Sequence, residues 1–408
     1  MPRAWATRPN EMNGWAAGAL LVLMLWAFVL LAFARPLRAR WREPVFRHPL
    51  LVVESDDWGA GPLAQTEALR KIATVLQGFR DSTGRPPAMT LGIVFEVPDS
   101  ERIAREGLTM YRGRGLDQAC FEELRRMILA GVESGIFVPQ LHGQCHYWPP
   151  ALMAAAQSDA GVRAWLAGSQ LPETENLPAH LQTRWIDASH LPSRALDVAQ
   201  IVQAAEEEAA SYRKLFGGSP EVAVATTFVW NRDVERAWKN AGVEVLITPG
   251  RRATCRDATG RLAGVDRLML TGDVSDAGQC YLVRDVYFEP ALGHSAERFV
   301  DGLSKRTRQG RACLVEMHRF NFLSQMDASL KTLCAALESG LIRHPNLRFT
   351  TPLEIARGLR QENTAMVETA FGVRMRAWLA RLPEIPHFHG ATRITGLALP
   401  LKLLERAL

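Results

Sequence analysis

Two adjacent carboxylates, Asp56 and Asp57, follow a short apolar run at residues 50–53. The run is rich in branched side chains and is followed by a polar, glycine-containing turn, which predicts a buried strand. Two like charges side by side at the end of a buried strand repel each other, so a cation, a positive neighbour or a shared proton has to offset them. The alternative is that Ser55 or Asp57 caps a helix that begins near Pro62.

Three histidines also stand near the ends of predicted strands. His142 and His146 lie four residues apart where the predicted strand 137–143 ends, and His318 lies near the end of the predicted strand 312–320. One carboxylate and two neutral imidazoles form an open site for Zn²⁺, or for Co²⁺ or Ni²⁺, in which water completes the ligand shell. The alternative is a turn of helix that brings the first two histidines together without a metal.

These residues need a scaffold that brings strand ends together, and the chain alternates between strand-like and helix-like segments. The predicted strands are residues 50–53, 88–96, 137–143, 221–230, 243–250, 281–290 and 312–320. The predicted helices are residues 120–135, 195–218, 232–242, 295–309 and 325–339. This alternation predicts an α/β fold with a mostly parallel sheet, most simply a distorted or incomplete (β/α) barrel whose active site lies on the loops after the strands.

One segment, residues 147–194, breaks the alternation. It contains Trp148, Trp165 and Trp185, several prolines and no clear period. A loop of that length in a compact domain is usually functional, so we expect it to cover the site as a cap.

The N-terminus carries a candidate membrane anchor. Residues 15–34 are twenty residues without a charge, which is long enough to span a bilayer as a helix. The alternative is a signal peptide, because Ala32, Phe33 and Ala34 have the small-x-small form of a cleavage site. The apolar run is longer than a typical signal-peptide core and a basic segment follows it, which favours an uncleaved anchor.

The charges around this span predict its orientation. Residues 35–47 contain five arginines, whereas Arg3 and Arg8 precede the span. By the positive-inside rule, the body then faces the cytoplasm from a single-pass bacterial inner membrane, with the periplasm as the alternative. The excess of arginine over lysine, 42 against 6, and the many alanines are typical of a GC-rich bacterial genome.

The overall composition limits the function classes. The chain has 408 residues, 47% of them hydrophobic and 22% charged, with a net charge of +5, which is typical of a globular protein. No cluster of basic and aromatic residues predicts nucleic-acid binding. The six cysteines form no C-x-x-C pair, so neither a zinc ribbon nor a redox motif is predicted, and their scatter fits unpaired thiols.

The predicted organisation comprises five consecutive segments. They are an N-terminal segment (1–14), the transmembrane anchor (15–34), a basic juxtamembrane linker (35–47), the barrel (48–360) and a C-terminal helical tail (361–408). Within the tail, residues 371–382 have an amphipathic pattern that either lies on a membrane surface or packs on its own domain.

The motifs together resemble those of the polysaccharide deacetylase family, carbohydrate esterase family 4. Residues 54–59, ESDDWG, are similar to the family's T-F-D-D-G motif, with Trp58 inserted before the glycine. Residues 142–146, HGQCH, keep the spacing of H-[ST]-x-x-H, and residues 314–318, LVEMH, are similar to its late strand ending in histidine. The resemblance extends over roughly residues 50 to 355. It implies hydrolysis of an N-acyl group on an amino sugar of a cell-surface polysaccharide or a lipid-linked glycan precursor.

The resemblance also implies roles for individual residues. Asp56 would be the general base, His318 the general acid, and the metal ligands would be Asp57, His142 and His146. These roles agree with the chemistry of the side chains. A metal held by one carboxylate and two imidazoles stays positively charged and acidifies water, and beside it a carboxylate can accept a proton and a protonated imidazole can donate one.

Two of the family's motifs have no clean copy in this sequence. Residues 227–230, TFVW, take the place of R-P-x-Y, so Trp230 would donate its backbone N–H to the oxyanion. Thr227 replaces the arginine that steadies the catalytic aspartate, and Arg232 is the candidate substitute. Residues 271–276 are the nearest match to the family's D-x-x-D-W motif.

Several side chains beside the motifs have two interpretations each. Trp58, Tyr147 and Trp148 either bind substrate by stacking on sugar rings or pack at the rim of the site. Cys145 is either a soft fourth metal ligand or, more commonly at such positions, a buried inert thiol.

Two other functions are weighed against the deacetylase interpretation. A glycoside hydrolase on a similar barrel needs two carboxylates that flank the scissile bond several ångströms apart, whereas Asp56 and Asp57 are adjacent. A catalytically inactive glycan-binding protein would agree with the missing motif arginine, but binding alone does not require the carboxylates and histidines together.

Overall fold

The computed structural model of the chain describes residues 10–168 and 171–408, which divide into two compact units. The larger unit contains residues 46–307 and 311–367, and the smaller contains the chain up to Val45, residues 308–310 and residues 368–408. Arg3 and Arg8 lie outside the described residues, so the N-terminal segment 1–14 and the orientation of the body stay predictions.

The larger unit is built on a curled sheet whose strands all pair in parallel. Within the described residues its strands are β1 (Leu50–Gly59), β2 (Met89–Val94), β3 (Phe137–Leu141), β4 (Val222–Val224), β5 (Val245–Thr248), β6 (Cys280–Val283), β7 (Val286–Tyr287), β8 (Cys313–His318) and β9 (Arg348–Phe349). They lie in the order β6-β5-β4-β3-β2-β1-β8-β7, and β9 pairs with β1. The predicted fold class, a distorted or incomplete (β/α) barrel, is confirmed.

Helices connect most of these strands and also form the smaller unit. In chain order they are α1 (Asn10–Ala32), α2 (Ala34–Arg42), α3 (Gln65–Gln77), α4 (Ser100–Arg105), α5 (Glu122–Glu133), α6 (Pro149–Ser158), α7 (Ala160–Gly168), α8 (Val198–Phe216), α9 (Arg232–Ala241), α10 (Ala296–Arg308), α11 (Phe320–Ser324), α12 (Met326–Arg343), α13 (Pro352–Arg360), α14 (Phe371–Arg381), α15 (Phe388–Ile394) and α16 (Ala398–Ala407). The larger unit holds α3 to α13, apart from the last residue of α10, and the smaller unit holds the others.

The sheet is nearly closed into a barrel. Strands β6 and β7 end the strand order on opposite sides, yet Arg284 and Asp285 are the only residues between them in the chain. Three peptide steps span at most ~11 Å, so the two edges of the sheet have to approach each other. Arg284 therefore lies at the seam of the incomplete barrel.

The two faces of the sheet have different compositions. The outer face is apolar and packs against helices; from β1 it includes Leu51 and Val53. The inner face begins with an apolar plug that includes Leu50 and Val52 and that α13 closes through Ile355. Side chains alternate along a strand, so Glu54 and Asp56 continue this inner face toward the C-terminal end of β1. The interior of the barrel thus changes from apolar to acidic along its axis.

Two predicted elements differ from the structure. Residues 281–290, predicted as one strand, form β6 and β7, because the chain leaves one edge of the sheet and joins the other between them. Residues 147–194, predicted without regular structure, contain α6 and α7. These helices are rich in alanine and other small or apolar residues, so they lack the polar and apolar periodicity by which a helix is predicted.

The smaller unit is helical, and it includes the candidate anchor. Helix α1 contains an 18-residue window, Trp15–Ala32, that is long and apolar enough to cross a membrane. The predicted basic linker forms α2, and the predicted tail forms α14 to α16. Arg381, fully buried at the end of α14, donates hydrogen bonds to the backbone carbonyls of Gln309, Glu43 and Pro44 at 2.7, 2.9 and 2.7 Å. The amphipathic segment 371–382 therefore packs within its own unit.

Candidate active site

Strand β1 extends beyond the predicted residues 50–53 and carries both carboxylates. The pairing of β1 with β2 shifts between Ser55 and Trp58, and Asp57 there has a positive φ of 73°. Bulges of this kind re-aim side chains next to active sites, and aspartate tolerates the left-handed conformation better than most residues. The helix-cap alternative is wrong, because α3 begins at Gln65 with Ala64 at its N-cap.

Asp57, His142 and His146 form a buried group of potential metal ligands. Their ligand atoms lie within 4.8 Å of one another, and the Nε2 atoms of both histidines are 3.1 Å from Oδ1 of Asp57. Two ligand atoms bonded to one ion at ~2.1 Å are separated by roughly 3.0–3.4 Å, so the observed spacing fits an ion. The residues between β3 and α6 are not helical, which excludes the helical-turn alternative.

Charge and hydrogen bonding suit the ligand set to a cation. Burial by itself raises the pKa of Asp57, but the neighbouring His146 and the hydrogen bonds from both histidines lower it well below its ordinary value. Nδ1 of His142 lies 3.1 Å from the carbonyl oxygen of Val224. A hydrogen bond donated there fixes the ring so that, once the Nε2 proton is lost, the lone pair available to a metal lies on Nε2, the atom that faces Asp57.

Asp56 is held by an arginine that the sequence motifs did not indicate. A guanidinium nitrogen of Arg284 donates a hydrogen bond of 2.6 Å to Oδ2 of Asp56, and both side chains are 1% exposed. Burial by itself raises the pKa of Asp56, but the charges of Arg284 and His142 and the hydrogen bond from Arg284 together outweigh this effect, and the pKa lies below its ordinary value. Oδ1 of Asp56 has no hydrogen-bond partner among the described residues.

Two more carboxylates lie beneath Asp56. Glu54 and Glu316 are paired in register on β1 and β8, and their oxygens are 3.8 and 3.7 Å from the guanidinium nitrogens of Arg284. Burial raises the pKa of Glu54 to about 7, although Arg284 opposes that shift. Thr90 donates to Glu54 at 3.2 Å. One arginine thus faces three buried carboxyl groups, at the seam between β6 and β7.

His318 has its own buried partner. Nδ1 of His318 lies 2.6 Å from Oε1 of Glu289, whose side chain is fully buried. Asn321 donates a hydrogen bond to the other oxygen of Glu289, which fixes the carboxylate. Burial by itself lowers the pKa of His318, but the hydrogen bond to Glu289 and the charges of Asp57 and Glu289 raise it to about 10.

The ligand triad lines one cavity of about 370 Å³ together with Arg284 and Glu316. The predicted site residues in its wall are Asp56, Asp57, His142, His146 and His318. Residues of the predicted cap, Glu175 and Gln182, contribute to the wall as well. Arg319, next to His318, holds Glu175 with two hydrogen bonds of 2.8 and 2.9 Å. This ion pair fixes the cap segment against the end of β8.

For two of the three residues predicted to stack on sugar rings, that prediction is wrong. Trp58 is fully buried in the core, where its indole N–H donates to Ser55 at 2.8 Å. Tyr147 is also fully buried, and its hydroxyl bonds that of Tyr111 at 2.8 Å. Neither ring is accessible to a ligand. Trp148 is partly exposed but lines a different cavity.

The predicted oxyanion donor is also contradicted. The backbone N–H of Trp230 donates a hydrogen bond of 3.0 Å to the carbonyl oxygen of Ala253, and its indole N–H donates to Glu235 at 2.9 Å. Both donors are therefore engaged inside the fold. Thr227 and Phe228, which line the cavity, adopt positive φ angles of 49° and 57°.

Other residues considered from the sequence lie away from this cavity. Arg232 is exposed and pairs with Asp276 at 3.7 Å, so Arg284 and not Arg232 stands beside Asp56. Asp276, in the segment compared with the fourth motif, also bonds Arg267 at 2.9 Å. Cys145 is buried, its thiol donates to the carbonyl of Tyr147 at 3.2 Å, and burial raises its pKa to about 12, as expected of an inert thiol.

Arg284 and Glu289 were not predicted from the sequence, because they belong to no predicted motif. Their signal is positional: Arg284 comes directly after an apolar strand, and Glu289 lies near the end of the predicted strand 281–290. The aromatic residues of the cavity wall, Phe228, Tyr287 and Phe320, were not predicted either.

No protein-family model and no curated protein matches the chain. A solved structure from Mycobacterium smegmatis, described as a polysaccharide deacetylase, is 11% identical with a TM-score of 0.43, over 80% of this chain and 97% of that one. A family 4 carbohydrate esterase from Streptomyces lividans is 10% identical with a TM-score of 0.36, over 74% of this chain and 92% of that one. A 4-alpha-glucanotransferase from Thermococcus litoralis is 10% identical with a TM-score of 0.38, over 87% of this chain and 46% of that one. The solved structures to which this chain is similar thus include members of the family that its motifs resemble, at distances that assign no activity.

Proposed function

We propose that this chain is a metal-dependent hydrolase that removes an N-acyl group, acetyl in the simplest case, from an amino sugar of a bacterial cell-surface polysaccharide or of a lipid-linked glycan precursor. The observation that carries the proposal is that one cavity holds a ligand triad, a carboxylate paired with arginine and a histidine paired with glutamate. Amide hydrolysis needs these three parts: an electrophile, a base and an acid.

Asp57, His142 and His146 are the residues that would hold the metal, with Zn²⁺ as the first choice and Co²⁺ or Ni²⁺ as alternatives. When bound, such an ion supplies a Lewis acid that polarises a carbonyl group and lowers the pKa of a water molecule. The chain's own contribution is to hold these three side chains in position, which the bulge in β1 and the contact of His142 with Val224 achieve.

Asp56 is the proposed general base. Arg284 lowers its pKa and holds Oδ2, so the carboxylate is ionised at neutral pH and presents Oδ1, which has no partner among the described residues. From this position Asp56 accepts the proton of the water that attacks the amide carbonyl. The role differs from that of the adjacent Asp57, because the bulge directs the two carboxylates to different partners.

His318 is the proposed general acid. Glu289 binds Nδ1 of His318 and raises the pKa of the imidazole, which stays protonated at neutral pH. The other ring nitrogen, Nε2, is then the proton donor. It protonates the leaving nitrogen as the C–N bond breaks.

An amino sugar suits the walls of the catalytic cavity. Phe228, Tyr287 and Phe320 supply aromatic surface for the C–H face of a sugar ring, and the ionised and amide groups between them supply hydrogen bonds. A volume of about 370 Å³ is in the range of small-molecule sites. In this proposal these residues of the cavity wall contact the sugar, and the predicted Trp58 and Tyr147 do not.

The two alternative functions have less support. A glycosidase needs its two carboxylates on either side of the scissile bond, whereas Asp57 contacts two histidines and Asp56 contacts Arg284. An inactive binding protein was favoured by the missing motif arginine. Arg284 now stands beside Asp56, which removes that objection to catalysis.

We also propose that α1 is a retained anchor in the bacterial cytoplasmic membrane. Val29 of α1 is 6% exposed, because it packs in one apolar cluster with residues of the C-terminal helices, among them Leu379 and Phe388. Cleavage after Ala34 would remove this part of the cluster. A topology reporter fused after Leu408 tests the side of the membrane: activity only in the periplasm would contradict the predicted cytoplasmic orientation and the precursor as substrate.

The deciding experiment measures metal content and acetate release on the full-length protein in detergent. We expect about one equivalent of bound ion and release of acetate from tetra-N-acetylchitotetraose. The double variant His142→Ala/His146→Ala should lose both. The matched control is His180→Ala/His190→Ala, whose side chains belong to the cap and are absent from the cavity wall. If wild type binds no ion even with excess Zn²⁺, the proposal is wrong.

A further inference from the structure

A second and larger cavity, of about 690 Å³, lies beside the proposed catalytic cavity. The segment that joins β3 to α6 contributes to both: His142 and His146 face the catalytic cavity, and Gln144 and Trp148 face the second one. The cap is shared in the same way, with Gln182 on one side and Arg184 on the other. No described residue lines both cavities, so the two are separate sites divided by these segments.

Trp148 and Arg184 form one wall of the second cavity. The guanidinium carbon of Arg184 lies 5.1 Å from the centre of the Trp148 ring, so the arginine holds the ring in place. The Arg184 side chain is 3% exposed, and its Nε has no hydrogen-bond partner among the described residues. The wall thus combines an ordered aromatic ring with a buried guanidinium group, whose Nε–H has no hydrogen-bond acceptor among the described residues.

Planar polar side chains and a hydroxyl form the rest of the polar surface. Ser211 donates to Gln144 at 2.9 Å, and Gln203 donates to Glu207 at 2.9 Å. Glu96, also in the wall, accepts from the hydroxyl of Tyr111 at 2.9 Å. These contacts fix the orientation of the amide and carboxylate groups while leaving further donors and acceptors available, since each group has more than one.

The charges on the wall of this cavity disfavour an anionic ligand and favour an uncharged one. Glu96 and Glu207 bring two carboxylates to the wall against the single guanidinium of Arg184, so an anionic ligand meets net repulsion. Oriented amides and carboxylates that can bond neighbouring hydroxyls, next to the face of a tryptophan, suit an uncharged polyhydroxylated ring. The volume lies in the range of ligand-binding cavities.

We propose that the cavity bounded by Trp148 and Arg184 is a second binding site for an uncharged saccharide unit, separate from the catalytic cavity. The choice of a glycan as ligand rests on the proposed function, in which the substrate is a polysaccharide or an oligosaccharide precursor. A glycan that binds at both sites at once has a higher apparent affinity for the enzyme. The site therefore acts on KM and leaves the reacting groups untouched.

The test is binding of tetra-N-acetylchitotetraose to the full-length protein in detergent, measured by saturation-transfer NMR and titration calorimetry. All variants carry His142→Ala/His146→Ala, so that binding is measured without metal and without hydrolysis. In this background Ala210→Trp should fill the cavity, because Ala210 is an exposed residue of α8 that lines it. Val202→Trp, on the same helix but outside the cavity wall, is the matched control.

We expect the control to bind the tetrasaccharide and Ala210→Trp to bind it at least tenfold more weakly. A second variant, Gln203→Ala/Glu207→Ala, removes polar contacts from the exposed face of α8 and should weaken binding in the same direction. Equal binding by the filled and control variants, or no binding by the control at millimolar sugar, overturns the proposal. Failure of metal binding or hydrolysis in the parent protein would contradict the proposed function instead, and leaves this comparison valid.

Discussion

Glu54, Asp56 and Glu316 each have an oxygen within 4 Å of the Arg284 guanidinium, at 3.8, 2.6 and 3.7 Å. Three buried carboxyl groups around a single cation cannot all be ionised at low cost. The structure separates them by distance: Asp56 has the direct hydrogen bond and a lowered pKa, whereas Glu54 has a raised pKa of about 7. When Glu54 is protonated, the positive charge of Arg284 is left to stabilise the ionised Asp56.

Replacement of Arg284 should therefore affect both stability and activity. Arg284→Gln leaves Asp56 buried without its cation, and breaking such a pair costs about 3–5 kcal/mol of unfolding free energy. The pKa of Asp56 rises, so the acid limb of the activity profile moves to higher pH, and kcat/KM falls about tenfold or more. Denaturant melts and pH–rate profiles measure the two effects. Arg232→Gln is the control, since Arg232 is exposed; equal behaviour of the two variants would contradict the role of Arg284.

Glu289 should control the titration of His318. The folded pKa of about 10 lies above the unfolded value of ~6.5, so the pair contributes stability that is fully present below pH ~6.5 and is lost as the pH rises through about 10. Glu289→Gln should lower the His318 pKa and remove part of this stabilisation. NMR titration of the imidazole in the metal-free protein measures the shift. Glu297→Gln, which is exposed on α10, is the matched control, and an unchanged His318 pKa in Glu289→Gln would refute the assignment.

At the level of elements, β2 contributes to the site through Gly92, which has no side chain. A Cβ atom on Gly92 would lie 2.4 Å from Oδ1 of Asp56, whereas the backbone of Gly92 itself needs no left-handed conformation. The glycine therefore provides space for the proposed base on the neighbouring strand. This is a requirement of the strand pairing, since β1 and β2 are adjacent and parallel.

Gly92→Ala should displace the carboxylate of Asp56 and reduce kcat/KM about tenfold or more, because a shift of about 1 Å at a reacting group costs up to 100-fold in rate. Metal content should stay near wild type, since the three atoms nearest to the added methyl group all belong to Asp56 and none to the ligand triad. Gly218→Ala is the control, because its added methyl group meets nothing within 4 Å. Full activity in Gly92→Ala, measured as acetate release, would mean that Asp56 is not held by this contact.

The elements also show how much of the site the sequence could predict. Asp56, Asp57, His142, His146 and His318 were predicted to meet because parallel strands bring their C-terminal ends to one edge, and they line one cavity. Arg284 and Glu289 were not predicted, because they follow β6 and β7 at the two edges of the sheet and reach the site only when the sheet curls. Trp58 was misjudged for a related reason: the bulge at Asp57 changes which face the next residue occupies, and its ring enters the core.

At the scale of the whole molecule, the helices at the two ends of the chain form one compact unit. The indole N–H of Trp26 donates to the carbonyl of Thr395 at 2.8 Å, and the rings of Phe33 and Phe388 meet edge to face at 5.2 Å. These contacts join α1 and the residue that follows it to α15 and the residue that follows it, over more than 350 residues of sequence, which no local pattern predicts. A signal peptide that is cleaved would leave the C-terminal helices without this apolar partner.

Val29 and Leu31 of α1 allow this arrangement to be tested with two similar substitutions. Val29 is 6% exposed and packs on the C-terminal helices, whereas Leu31 is 74% exposed. Val29→Asn puts an amide into the apolar cluster, which costs about 2–4 kcal/mol, and should release α15 and α16 to limited proteolysis in detergent. Leu31→Asn should leave the cleavage rate near wild type. Equal protection of the C-terminal helices in both variants would mean that α1 does not pack on them, and detection of a mature chain that begins at Arg35 would show that the helix is removed in the cell.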